Sequence, residues 1–262
     1  MLSPFRKKEN PFQISIGIAT FEKRFEDYFV PLLTKIRSFE IDAEIVVAIN
    51  GEHKQEFGED YRKQMLEFLS THQKTFPIFF PAFRSLSKLW NTILIHASGE
   101  FVLMLNDDTL ITDRKFMNKI STILKKNGER SFLINHSWSH FVARKEEIAN
   151  LGYFDERLLG IGEEDGDMTW RYIREHGAPL ASHTIKGFKN YAEETMAQQP
   201  ENIRCHANGK YSLFNRRFVH EKKYAASPQG IKGMFDEPME LKDAGPDQYP
   251  NERFYYEHSD EL

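Results

Sequence analysis

The sequence predicts an α/β fold: a doubly wound, mostly parallel, Rossmann-like sheet flanked by helices, with a C-terminal extension. Three observations predict it. Short apolar runs alternate with stretches of helical spacing, strand then helix, through residues 14–126, and repeated βαβ units force parallel pairing. The strongest run, Phe101-Val102-Leu103-Met104-Leu105, is uninterrupted, as expected of a strand buried on both faces. It stops abruptly at Asn106-Asp107-Asp108-Thr109, which puts acids at the carboxyl edge where open α/β sheets bind ligands.

Taken in order, residues 1–11 form a polar lead-in ended by Pro11. Ile14-Ser15-Ile16-Gly17-Ile18-Ala19 reads as a strand, and Thr20-Phe21-Glu22-Lys23-Arg24 as the loop after it. Residues 25–39 carry Phe25, Phe29, Leu32, Leu33 and Ile36 on one helical face, with Pro31 near the first turn, where a missing N–H costs little. A second buried strand, residues 44–49, ends at the turn signal Asn50-Gly51. Helix 61–72, a short strand 77–80 and helix 86–97 follow, the last closed by Ser98-Gly99. After the acids, residues 115–126 form an amphipathic helix ended by Gly128. From Ser131 the pattern changes. Short strands 132–134 and 141–143 surround His136-Ser137-Trp138-Ser139-His140, residues 145–151 form a short helix, and Gly160-Ile161-Gly162 leads into Glu163-Glu164-Asp165-Gly166-Asp167. A helix over 168–176 ends at Gly177, so these four acids precede or open a helix whose N-terminal dipole favours negative charge.

At 262 residues the chain can bury a full core. Its net charge of −4 argues against a nucleic-acid partner held by bulk electrostatics. One cysteine, Cys205, excludes an internal disulfide and a cysteine-based zinc site. No apolar run approaches a membrane span and no signal-peptide core follows the charged start, so a reducing, cytoplasmic setting is expected.

Adjacent carboxylates repel unless something positive lies between them, or between them and a bound polyanion. A hard divalent cation, Mg²⁺ or Mn²⁺, is commonly held by one or two carboxylates plus substrate phosphates. The alternative for Asp107 and Asp108 is a solvated turn with Thr109 capping a helix. The second acidic cluster weighs for chemistry. First-turn carboxylates explain one or two acids, hardly four.

On these residues the chain resembles family-2-type glycosyltransferases of the GT-A fold. The resemblance runs from Ile14 to Arg174. It rests on the first strand and loop through Glu22, Glu44-Ile45-Val46-Val47 ending in Asn50-Gly51, Asn91, residues 97–109, Gly152-Tyr153-Phe154-Asp155-Glu156, and Gly162-Glu163-Glu164-Asp165-Gly166-Asp167 with Arg171. It implies a metal-dependent, inverting transfer of a sugar from a nucleotide-diphosphate donor to a hydroxyl of a saccharide or lipid-linked acceptor. Asn106-Asp107-Asp108 falls on the family's DxD motif, implying Asp108 as metal ligand and Asp107 on the ribose or a metal-bound water. Glu164-Asp165 falls on the ED motif, implying Asp165 as general base and Glu164 on an acceptor hydroxyl, with Asp167 and Arg171 as a structural pair. Nucleotide contacts map to Ala19, Thr20, Glu22, Asn50, and Arg84 or Lys88. The usual acidic pair after the second strand is Ile49-Asn50 here, so one carboxylate is missing. His183 is the nearest candidate for a third metal ligand, although a loop histidine is more often simply solvated. His136, Trp138 and His140 are expected to line the acceptor cleft, Trp138 stacking on a sugar face; a buried tryptophan in a strand corner is the alternative.

The resemblance divides the chain into a glycosyltransferase domain, 1–226, with a nucleotide-binding half about 12–110 and an acceptor-binding half about 111–226, and an acidic, Pro-containing arm, 227–262. Residues 211–224 set Leu213, Phe214 and Phe218 beside Arg216, Arg217, Lys222 and Lys223. This helix could lie on anionic lipid as a peripheral membrane contact, but packing on its own domain with a solvated basic face weighs more. The arm's Phe254-Tyr255-Tyr256 suggests contact with its own domain or a second subunit. Two competing functions are a nucleotidyltransferase making nucleotide sugars, disfavoured because residues 18–25 contain no glycine, and a binding module without turnover.

Overall fold

The computed structural model describes residues 12–39, 41–51, 57–190 and 210–224. The lead-in 1–11, Cys205 and the arm 227–262 lie outside the described residues. In chain order the elements are β1 (Ile14–Phe21), α1 (Val30–Ser38), β2 (Ile45–Asn50), α2 (Glu59–Ser70), β3 (Thr75–Phe79), α3 (Leu86–His96), β4 (Phe101–Asn106), β5 (Thr109–Ile111), α4 (Phe116–Lys126), β6 (Phe132–Ile134), β7 (Ser137–Arg144), α5 (Lys145–Asn150), α6 (Glu164–His176), β8 (Ala181–His183), β9 (Phe188–Asn190) and α7 (Lys210–Arg217).

The main sheet has seven strands in the order β3-β2-β1-β4-β7-β6-β8. β3, β2, β1 and β4 run parallel, β7 is antiparallel to β4, and β6 pairs antiparallel with β7 and parallel with β8. Pleat alternation gives each central strand two buried faces. Ile45, Val47 and Ile49, with Phe101, Leu103 and Leu105, join the core packed under α1, α2 and α4. Val46, Ala48, Val102 and Met104 face α3, α5 and α6. The predicted three-layer α/β architecture is the one observed. Gly17 lets α3 approach β1, because a Cβ there would lie on Ile93 Cγ2 and 2.8 Å from Met104 Sδ.

Several local expectations shift. The first strand runs on through Thr20 and Phe21, and the predicted helix 25–39 enters through a 3₁₀ turn (Glu22–Arg24) and a π turn (Phe25–Phe29) before becoming α-helical at Val30. α6 begins at Glu164 rather than Met168, so its acids belong to the first turn. Thr109 caps no helix. It opens β5, which pairs antiparallel with β9 and ties residues 188–190 to the end of β4.

Of the two readings of 211–224, the packed one describes the structure, with an unexpected core. Phe218 and Val219 pack on Leu158 and Leu159, with Phe214 against the same cluster, so this apolar face covers its own domain. Arg216 and Arg217 are exposed, but Lys223 is fully buried. Its Nζ lies 2.7 Å from Asp155 and 2.5 Å from Asp167. Arg157 pairs with Asp155, Arg171 with Asp167, and the Tyr224 hydroxyl donates to Asp167 at 2.6 Å. The expected Asp167–Arg171 pair is therefore one part of a five-charge buried network. Asn215 clamps the neighbouring loop, accepting from Leu159 N–H and donating to the Leu159 and Gly162 carbonyls. Among the described residues, no helix is long and apolar enough to cross a membrane.

Candidate active site

The carboxyl ends of the parallel strands bring together four segments. Arg24 follows β1, Asn50 ends β2, residues 80–85 follow β3, and Asp107-Asp108 follow β4. The loop before α6 joins the same edge. Leu86 N–H, at the start of α3, donates to the Gly160 carbonyl at 2.8 Å. Glu163, with φ of 70°, turns the chain into α6, and Asn215 holds the loop from behind. Both acidic clusters therefore stand on one edge of the sheet, although they are far apart in sequence.

The positive group between the first two acids is a side chain. Arg24 Nε lies 2.7 Å from Asp107 Oδ1 and its Nη2 lies 2.8 Å from Asp108 Oδ2. Its guanidinium also sits 4.6 Å from the centre of the Tyr28 ring, a cation–π distance. Burial, the largest influence on Arg24, pulls its pKa down, but Asp107 and Asp108 outweigh it and the net shift is upward. Burial lifts the Asp107 carboxyl to about 6, helped by Asp108 and opposed by Arg24. Asp107 Oδ2 and Asp108 Oδ1 are buried without a hydrogen-bond partner.

A histidine of the segment expected to line the acceptor cleft stands nearby. His140 pairs with Leu105 across β4 and β7, and both its ring nitrogens are buried without partners. Burial lowers its pKa to about 4, against the pull of Asp108, so it is neutral at physiological pH. The expected His183 lies on β8, separated from β4 by β6 and β7, with its ring edge-on to Phe132. No group of three His, Cys, Asp or Glu among the described residues forms a ready metal cage.

In the second cluster, Glu164 is buried and Asp165 is exposed. Glu164 Oε2 accepts from Gly162 N–H. Burial first, then the charge of Asp165, raises the Glu164 carboxyl to about 8, so Glu164 is protonated at neutral pH, while exposed Asp165 accepts from Gly166 N–H at 2.8 Å.

The remaining sequence candidates divide. Ala19 and Thr20 are buried at the end of β1, and Glu22 is exposed just beyond it. The Asn50 amide is engaged with backbone: its Nδ2 donates to Arg84 O and its Oδ1 accepts from Arg84 N, both at 2.8 Å. Lys88 pairs with Glu156 at 3.1 Å, and Asn91 holds the same turn through the N–H and carbonyl of Phe154. Trp138 is half-buried, edge-on to Phe141 and Phe154, while His136 is exposed with φ of 62°. Arg24 carried one signal in the sequence, a base in the loop after the strand that neighbours the acid-bearing one. Asn215 and Lys223 carried none.

The order of strands and flanking helices is a GT-A-like fold. Compared by sequence, the chain matches no protein-family model and no curated protein. Compared by structure, it is similar to S. aureus TarS, with a TM-score of 0.52 at 15% identity, over 79% of this chain and 44% of that one. It is similar also to the mannosyltransferase PcManGT from Pyrobaculum calidifontis in complex with GDP-Man and Mn²⁺, with a TM-score of 0.51 at 14% identity, over 80% of this chain and 70% of that one. The chain thus spans less than half the length of full TarS. At such identities the likeness is one of fold.

Proposed function

We propose that this chain is a metal-dependent, inverting glycosyltransferase that moves a sugar from a nucleotide-diphosphate donor to a hydroxyl of a saccharide or lipid-linked acceptor. One observation supports the reading most: the Leu86–Gly160 hydrogen bond that holds the Glu164-Asp165 loop to the sheet edge carrying Asp107-Asp108. A donor-side and an acceptor-side acid on one edge is what a displacement with separate donor and acceptor subsites needs. The complex of PcManGT with GDP-Man and Mn²⁺ is consistent with such a donor and cation.

The two partnerless oxygens of Asp107 and Asp108 fit a hard cation, and Asp108 would hold it. When bound, a divalent cation supplies charge neutralisation to the leaving diphosphate. Exposed Asp165 is the general base. It takes the proton of the acceptor hydroxyl as that oxygen bonds to the anomeric carbon, and the bond to the diphosphate breaks on the opposite face with its electron pair leaving on the phosphate oxygen. Protonated Glu164 can donate a hydrogen bond to an acceptor oxygen. Trp138 and His136 stand at the start of β7, where they would meet the acceptor, while Thr20, Glu22 and Arg84 would meet the nucleotide.

The test is a nucleotide-sugar panel assayed for diphosphate release, repeated with Asp165→Asn, which keeps shape and removes basicity. We expect kcat to fall by about 10²–10⁴ with donor Kd unchanged. A mutant with near-normal kcat removes Asp165 from the base role; lost donor binding would merge the two subsites.

A further inference from the structure

We propose that Arg24 is the resident counter-ion of the Asp107–Asp108 pair and that a divalent cation enters the site by displacing its guanidinium. The inference rests on the glycosyltransferase reading only in taking a cation to bind these acids. Two adjacent carboxylates, 4% and 6% exposed, cannot remain charged and buried without a positive partner. Among the described residues, Arg24 is the cation that pairs with both. Its grip is partial. Nε takes one oxygen of Asp107 and Nη2 one oxygen of Asp108, while the other oxygen of each stays buried without a hydrogen bond. One guanidinium leaves the pair one charge short of neutrality, whereas a divalent cation cancels both carboxylates and can take the free oxygens.

The displaced side chain has a place to go. Tyr28, four residues along the same irregular turn, already offers its ring to the guanidinium. The segment passes from 3₁₀ to π geometry there, and π turns recur where a helix is locally remodelled for function. Once off the acids, the guanidinium would be a free donor fork beside the cation, able to take a phosphate oxygen. Arg24 then couples the two ligands. It opposes the cation alone and favours the cation with a diphosphate, and such coupling is reciprocal.

The first measurement is Mn²⁺ titration by calorimetry, without nucleotide, on wild type and Arg24→Gln. A competitor occupying the site most of the time lowers apparent affinity in proportion, so the variant should bind Mn²⁺ at least about tenfold more tightly. Equal or weaker binding by the variant overturns the proposal. The second measurement uses wild type alone and so survives a variant that fails to fold: phenylglyoxal modification of Arg24, followed by mass spectrometry. Saturating Mn²⁺ should accelerate labelling by releasing the guanidinium; an unchanged or slower rate overturns displacement. Equal Mn²⁺ binding by both proteins sinks the counter-ion role alone. Absence of Mn²⁺ binding in both, with and without GDP or UDP, sinks the metal-dependent reading as well.

Discussion

Lys223→Met tests whether residues 218–224 are locked by charge to Asp155 and to Asp167 of α6. The Lys223 ammonium is 0% exposed and bridges Asp155 at 2.7 Å and Asp167 at 2.5 Å, both of them also 0% exposed. Methionine fills the same volume, so packing is nearly kept and the charge is lost. Removing one partner of a buried ion pair costs about 3–5 kcal/mol. Each carboxylate keeps a guanidinium, Arg157 on Asp155 and Arg171 on Asp167, so the lower end, ~3 kcal/mol, is expected. Urea unfolding followed by circular dichroism measures it, with Arg217→Ala as control. That arginine is exposed and 3.9 Å from Glu221, and its loss should stay within about 0.5 kcal/mol. The effect should also depend on pH. Burial alone would raise the Asp155 pKa, but Lys223 and then Arg157 outweigh it and hold the carboxyl below its usual range. Stability from a depressed carboxyl is present above its unfolded pKa, about 3.9, and is lost as pH falls below that value. The gap between wild type and variant should therefore be full at pH 7 and narrow below about pH 4. A loss under about 1 kcal/mol at pH 7 would mean that Asp155 and Asp167 are satisfied without Lys223, and the locking argument fails.

Two further variants probe the scaffold and the first turn of α6. Gly17→Ala sets a methyl against Ile93 and Met104, and overpacking of this kind should cost about 1–3 kcal/mol in chemical denaturation; an unchanged midpoint would mean that α3 moves freely over β1. The raised pKa of Glu164 has the opposite sign from that of Asp155. Its stabilising neutral form is fully present below the unfolded value, about 4.3, and is lost as pH rises through about 8. Glu164→Gln, neutral throughout, should remove that decline, so thermal melts of wild type should fall behind the variant between pH 5 and 8, by at most about 1.4 kcal/mol per pH unit. Parallel melting curves would show that Glu164 is already ionised.

Burial in the sheet was legible because it is written locally. Uninterrupted runs such as residues 101–105 read as strands with two covered faces, and their alternation with helical spacing points to parallel pairing. The acids at the end of β4 were legible for the same reason: a sharp stop from apolar to charged marks a strand end. The antiparallel β7, the β5–β9 pair and the early start of α6 were not, since short strands and first-turn acids leave no period to read. Ion partners were hidden most completely. Arg24 and Asp107 are 83 residues apart and Lys223 and Asp155 are 68 apart. The sequence by itself determined the layers, the sheet edge on which the acids of residues 106–109 stand and the need for a positive charge between Asp107 and Asp108. Only the tertiary structure decided that the charge is Arg24, that the neighbouring imidazole is His140, and that a lysine expected in solvent closes a buried network. The physical reason is that periodicity is a property of neighbours in the chain, whereas pairing depends on which strands the sheet order sets side by side.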